Sequence, residues 1–129
     1  MSHRDVISRF LDAALGGDDA TVAALMHPDF FITEADSLPY GGTYHGLAGL
    51  KQMLERLRSC VANHTVVLRE IIGGDDSDQF GILVDMSGTI GGQPFTQSIF
   101  ERWILRDGKV AEISPYYWDT AAISSLGKR

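Results

Sequence analysis

The sequence predicts an α+β fold in which N-terminal helices pack on one face of a C-terminal antiparallel sheet. Three observations carry that expectation. Apolar residues recur at helical spacing in three segments of the first half. From Asn63 onward the pattern changes to β-branched and aromatic residues interrupted by glycine-rich turns. Helices segregated from a run of strands form layers, and a curled sheet over helices leaves an apolar space suited to a small ligand.

The elements follow in order. Ser2 and Asp5 have capping-box spacing ahead of a first helix whose face is Val6, Ile7, Phe10, Leu11, Ala14 and Leu15, and Gly16-Gly17 stops it. Asp18 or Asp19 caps a second, shorter helix that His27-Pro28 ends, because the residue before a proline is pushed out of the helical region. Phe30 to Glu34 reads as a strand with Phe30, Ile32 and Glu34 on one face, and Leu38 to Gly46 as a loop. Leu47, Leu50, Met53, Leu54 and Leu57 mark a third helix. Strands are expected over His64–Ile72, Phe80–Ile90, Phe95–Leu105 and Lys109–Ile113, with a register shift at Pro115. The tail from Thr120 to Arg129 is small and polar, with little to bury.

The 129 residues are expected to form a single domain with one substantial core. A net charge of −6 argues against a nucleic-acid binder, which presents a basic face. Cys60 is the only cysteine, so no internal disulfide forms, and the structural reading of its thiol outweighs a nucleophilic one. His3, His27, His45 and His64 lack paired ligand spacing, so no metal site is expected. No stretch reaches the ~18 apolar residues of a membrane span, and Met1 to Asp5 lacks a signal peptide's apolar run; a cytoplasmic location is expected.

One strand carries an anomaly. Alternation places Glu101 between Ile99 and Trp103 on a core-facing surface. A buried carboxylate without a partner is costly, so it is paired, solvated by a cavity, or kept protonated. Two readings stay open: Glu101 faces a pocket, or it pairs with a cation such as Arg69 on a neighbouring strand. Glu34 likewise ends an apolar face.

Several stretches resemble one superfamily: Phe10 to Asp18, His27 to Glu34, Tyr44-His45-Gly46-Leu47 before a leucine-rich helix, Asp107 to Val110, and Tyr116 to Asp119. These are similar to the nuclear transport factor 2-like proteins, which include ketosteroid isomerase, the SnoaL-like polyketide cyclases and limonene epoxide hydrolase. The resemblance covers essentially the whole chain. It implies a cone-shaped α+β barrel, three N-terminal helices packed on a strongly curved, mostly antiparallel sheet. It also implies a homodimer through the open sheet face, where Phe100 and Ile104 would lie.

Residue by residue, the ketosteroid isomerase pattern makes Glu34 the general base and Glu101 the protonated acid that donates to the oxyanion. Phe10 stands where that family has its oxyanion tyrosine, so the donor would have to come from Tyr40, Tyr44 or Tyr117. In the cyclases a His and an Asp line the pocket; His64 and Asp119 are the counterparts here, although Asp119 can equally cap the next segment. Arg102 points away from Glu101, so an epoxide hydrolase's Asp-Arg-Asp set is not supported. Tyr40, Tyr44, Trp103, Tyr117 and Trp118 would shape the pocket, or fill core. Two functions follow. One is a cofactor-free isomerase or cyclase acting through an enolate on a small apolar, carbonyl-bearing or aromatic ligand. The other is a non-catalytic module that binds a hydrophobic metabolite or a protein partner.

Overall fold

The computed structural model describes residues 1–127. The chain runs α1 (His3–Gly16), α2 (Asp19–Leu25), β1 (Met26–Glu34), β2 (Gly42–His45), α3 (Gly46–Cys60), β3 (Ala62–Ile72), β4 (Gln79–Ile90), β5 (Gln93–Arg106), β6 (Lys109–Tyr117) and α4 (Thr120–Gly127). The strands form one six-stranded sheet in the order β2-β1-β6-β5-β4-β3. Only β1 and β6 run parallel; the other neighbours are antiparallel. The sheet curls around α1 and α3, a cone-shaped α+β architecture. Among the described residues, no helix is long and apolar enough to cross a membrane.

Local chemistry explains most boundaries. The Ser2 hydroxyl accepts from the Asp5 N–H at 3.1 Å while the Asp5 carboxylate accepts from the Ser2 N–H at 3.3 Å, closing a capping box on α1. Gly17, at φ 75°, ends that helix in the left-handed conformation that glycine adopts without a Cβ penalty. Asp18 then caps α2 by accepting from the Thr21 N–H. The buried face of α1 is Val6, Ile7, Phe10 and Ala13, and that of α3 is Leu50, Met53 and Leu57. Both rest on the inner face of the sheet, where Phe80, Ile82, Val84 and Met86 of β4 alternate with outward-facing residues.

Four expectations are corrected or refined. The glycine-rich loop contains the short strand β2, which pairs Tyr44 with Ile32 and Gly42 with Glu34; four residues were too few for the turn signal at Gly41-Gly42 to be outweighed. The second helix ends at Leu25, before His27-Pro28, which lies inside β1 where pairing with β6 is interrupted between Met26 and Phe31. Pro115 sits mid-strand opposite Glu101, and the register shift falls at Ile104/Leu105 instead. The last β1 partner on β6 is Ile113, so beyond it one edge of β6 is unpaired and tolerates a proline. The tail is a helix whose Ile123 is completely buried; Lys128 and Arg129 lie outside the described residues.

The sheet's outer face carries exposed Val67, Ile72, Phe100 and Tyr116. Where α3 begins, Gly49 lets the helix backbone approach β2: a Cβ there would stand 2.8 Å from the Tyr44 carbonyl carbon. Gly49→Ala is therefore expected to lower stability by about 1–3 kcal/mol in urea unfolding. Gly16→Ala, whose Cβ would meet nothing within 4 Å, should not.

Candidate functional site

A cavity opens between α1 and α3 on one side and the inner face of β1, β3, β4, β5 and β6 on the other. It holds about 620 Å³ free of protein atoms, part of it continuous with solvent. Its walls are mostly aliphatic, including Ala14 from α1, Leu50 and Leu54 from α3, and Val84 and Met86 from β4. Five residues with side-chain hydrogen-bonding groups are in that lining: Glu34, His64, Glu101, Trp103 and Tyr117.

Glu34 closes β1, and the alternation that buries Phe30 and Ile32 buries it too, to 3% exposure. Its Oε2 accepts from the Tyr117 hydroxyl at 3.2 Å. That hydroxyl lies 2.7 Å from the hydroxyl of Tyr40, which is fully buried. A phenol has one hydrogen, so with Tyr117 donating to Glu34, Tyr40 donates to Tyr117. Burial first, and then repulsion from Glu101, push the Glu34 carboxyl up to about 8 against the opposing pull of the Tyr117 bond. Burial likewise drives both phenols above their ordinary range, so both stay neutral.

Glu101 lies on β5 between Ile99 and Trp103, and its cross-strand neighbours are Ile82 and Pro115, both apolar. Its Oε1 accepts from the Trp103 indole N–H at 2.8 Å. Burial raises its carboxyl to about 7, with the Trp103 bond opposing the rise. The repulsion between the two carboxylates is mutual, so they titrate as a pair. Arg69 reaches Asp85 at 3.5 Å, and the ion-pair reading of Glu101 is set aside. Arg102 bonds Gln79 and approaches Glu112 on the outer face. The second oxygens, Oε1 of Glu34 and Oε2 of Glu101, have no hydrogen-bond partner among the described residues. No side-chain oxygen lacking a partner is sealed from solvent there, so both open on the cavity that their residues line.

The other candidates divide. Phe10 and Trp103 line the cavity with their rings edge-to-face at 5.6 Å, and Tyr117 and His64 line it as well. Burial, then the Arg58 charge, hold the His64 imidazole below its usual range, so it is neutral at pH 7. Tyr40 stands behind Tyr117 rather than on the wall. Tyr44 donates to the Tyr40 and Gly41 carbonyls and accepts from Arg56, bracing the turn before β2. Trp118 is 86% exposed, and Asp119 accepts from the Ala122 N–H as the cap of α4; neither lines the cavity. Parity explains the first: Ile113, Pro115 and Tyr117 face inward on β6, so Trp118 falls on the outer side with Tyr116. The aliphatic wall residues were visible only as helical and strand periodicity, which does not distinguish a cavity wall from core.

Residues 7–113 match the model of the SnoaL-like domain. The chain belongs to the SnoaL-like domain family. No curated protein matches it. Among solved structures it is similar to an NTF2-like protein of unknown function from Burkholderia pseudomallei K96243, with 22% identity, complete coverage of both chains and a TM-score of 0.86. It is similar to TerC co-crystallised with polyporic acid, at 23% identity, 98% of each chain and a TM-score of 0.84. It also resembles a hypothetical protein of ketosteroid isomerase-like fold from Catenulispora acidiphila DSM 44928 in complex with trimethylamine, at 18% identity, 94% of this chain, 92% of that one and a TM-score of 0.73. These likenesses establish the fold.

The site of this SnoaL-like chain also sets a pH dependence. Between the ordinary carboxyl value of 4.5 and about 8, folded Glu34 retains a proton that the unfolded chain has released. Stability therefore falls as pH rises across that window, by up to a few kcal/mol, and levels off above it. Denaturant unfolding between pH 5 and 8.5 should show this slope; Glu34→Gln should reduce it, and the part that remains belongs to Glu101, whose carboxyl is raised to about 7.

Proposed function

We propose that this chain takes a small apolar, carbonyl-bearing or aromatic molecule into the cavity and moves a proton on it through an enolate, without a cofactor. The observation that carries the reading is the pair of unpartnered carboxyl oxygens opening on one apolar cavity, with both groups displaced towards neutral pH. At such values one carboxyl can be charged while the other keeps its proton, which is the condition for a base and an acid in one site. The charged carboxylate takes a proton from the carbon beside the carbonyl. The protonated one donates to the oxygen on which negative charge develops. Returning the proton to a different carbon gives isomerisation, and attack by the enolate on a second carbonyl gives aldol-type cyclisation. The co-crystallisation of TerC with polyporic acid and the complex of the Catenulispora protein with trimethylamine support small-molecule uptake by this fold. Phe10 supplies no hydroxyl to the cavity, which argues against steroid isomerisation by the tyrosine-assisted route.

A naphthol, whose hydroxyl mimics an enol, tests the reading. In a Trp118→Phe background Trp103 is the remaining tryptophan, and it lines the cavity. Saturable quenching of its fluorescence is expected, with affinity falling at least tenfold above pH 8 as the second proton leaves, and with both Glu34→Gln and Glu101→Gln changing the pH profile. Binding indifferent to pH and to both substitutions would identify a holding module without acid/base chemistry.

A homodimer through the outer sheet face belongs to the same proposal, because exposed Val67, Phe100 and Tyr116 lie there. Light scattering should give twice the chain mass of 14.1 kDa, and Phe100→Glu should halve it.

A further inference from the structure

Resting on that reading, we infer that the pair is polarised: Glu101 carries the charge and acts as the base, while Glu34 keeps the proton and acts as the donor. This is the reverse of the order that the ketosteroid isomerase resemblance implies. Tyr117 and Tyr40 are then positioning residues for Glu34, and Trp103 is the positioning residue for Glu101.

The hydrogen-bond partners differ in kind. The Trp103 indole N–H can only donate. It is held in place, because Trp103 is 1% exposed and its ring meets Phe10 edge-to-face. At 2.8 Å it gives Glu101 a fixed donor, and such a bond is worth more to a carboxylate than to a carboxylic acid. Glu34 receives a longer bond, 3.2 Å, from a phenol that is itself engaged by Tyr40. The carboxyl with the longer bond, from a phenol that Tyr40 also engages, keeps the proton, and the higher displacement of Glu34 agrees.

Among the described residues, no cation pairs with either carboxyl. Around the pair, β3 contributes His64, held neutral, and α3 ends in Cys60, whose thiol burial pushes up. Arg58 acts on His64 and donates to the Leu15 carbonyl, while Arg56 is turned to Tyr44, Arg69 to Asp85 and Arg102 to Glu112. The first proton to leave the pair therefore comes from Glu101, and repulsion then holds the second on Glu34.

The oxygens are assigned by the same bonds. Tyr117 occupies Oε2 of Glu34, which leaves the acid proton on Oε1, the atom that opens on the cavity. Trp103 occupies Oε1 of Glu101 and leaves Oε2 free to accept a proton. A ligand then sits with its carbonyl oxygen at Glu34 and its acidic C–H at Glu101. The C–H bond breaks, its proton goes to Glu101 Oε2, and its electron pair moves into the carbonyl system as an enolate whose oxygen accepts from the Glu34 O–H. Reprotonation at a second carbon by Glu101 restores the carboxylate. The ligand class is a neutral carbonyl compound, since a ligand bearing its own carboxylate would meet the Glu101 charge with no Lys or Arg among the described residues lining the cavity to offset it.

Carbon-13 NMR of protein labelled at the glutamate carboxyl carbons tests the order without any ligand. Glu34→Gln and Glu101→Gln assign the two resonances. The Glu101 resonance should titrate first and Glu34 at a higher pH. Trp103→Phe, which removes the indole donor, should raise the Glu101 midpoint, and Tyr117→Phe should raise that of Glu34. Glu34 titrating first, or both resonances moving together through both steps, overturns the polarised pair, as does a Glu101 midpoint unchanged in Trp103→Phe. If that variant fails to fold, the wild-type order decides alone. Naphthol binding is a separate readout, so the proton order can fail while the ligand reading stands, and the reverse.

Discussion

Two carboxyl groups withdrawn from water on the inner face of one sheet, with no cation among the described residues paired to them, are the constraint around which this site is built. Ionised carboxylates in apolar surroundings are unstable unless paired or hydrogen-bonded. Here each receives one neutral donor, from Tyr117 or from Trp103, and each keeps one oxygen on the cavity. That compensation is partial, so the protonation equilibria shift instead. The buried Tyr40–Tyr117 couple, the edge-to-face Phe10–Trp103 contact and the strand β2 that carries Tyr44 beneath Tyr40 all secure those donors.

The arrangement costs stability at neutral pH, and on the proposed reading that cost serves chemistry. Aliphatic residues in place of Glu34 and Glu101 would pack the cavity without charge and remove the loss of stability at neutral pH. Natural proteins keep such destabilising groups where activity needs them. The α1 and α3 faces show the same economy. The first buries Val6 and Ile7 in the core yet presents Ala14 to open space, and the second lines that space with Leu50, Met53 and Leu54. A curled sheet cannot stay in contact with two straight helices along its whole length, and the cavity is the gap that results.

Much of this was legible in advance wherever the determinants are local. Ser2, Asp5, Gly17 and Asp18 set helix ends through bonds reaching no further than the next turn. The period-2 pattern exposed Glu34 and Glu101 as carboxyls on apolar faces before any contact was known. Non-local features were less accessible. Strand β2 is too short to stand out from its glycines, and Ile123 is buried only because the tail helix returns to the sheet. Trp118, expected among the pocket aromatics, and Asp119, expected as the counterpart of the cyclases' Asp, are sent elsewhere by strand parity and the start of α4.

By itself, then, the sequence determined the layered α+β class, the family resemblance and the two carboxyls, because periodicity, capping and composition act within a few residues. Only the tertiary structure decided that Glu101 is answered by Trp103 rather than Arg69, and that Tyr117, backed by Tyr40, serves Glu34. Those partnerships rest on cross-strand register and on which side of β6 faces the helices. Residues 83 positions apart, as Glu34 and Tyr117 are, meet only when the whole sheet has closed around its helices.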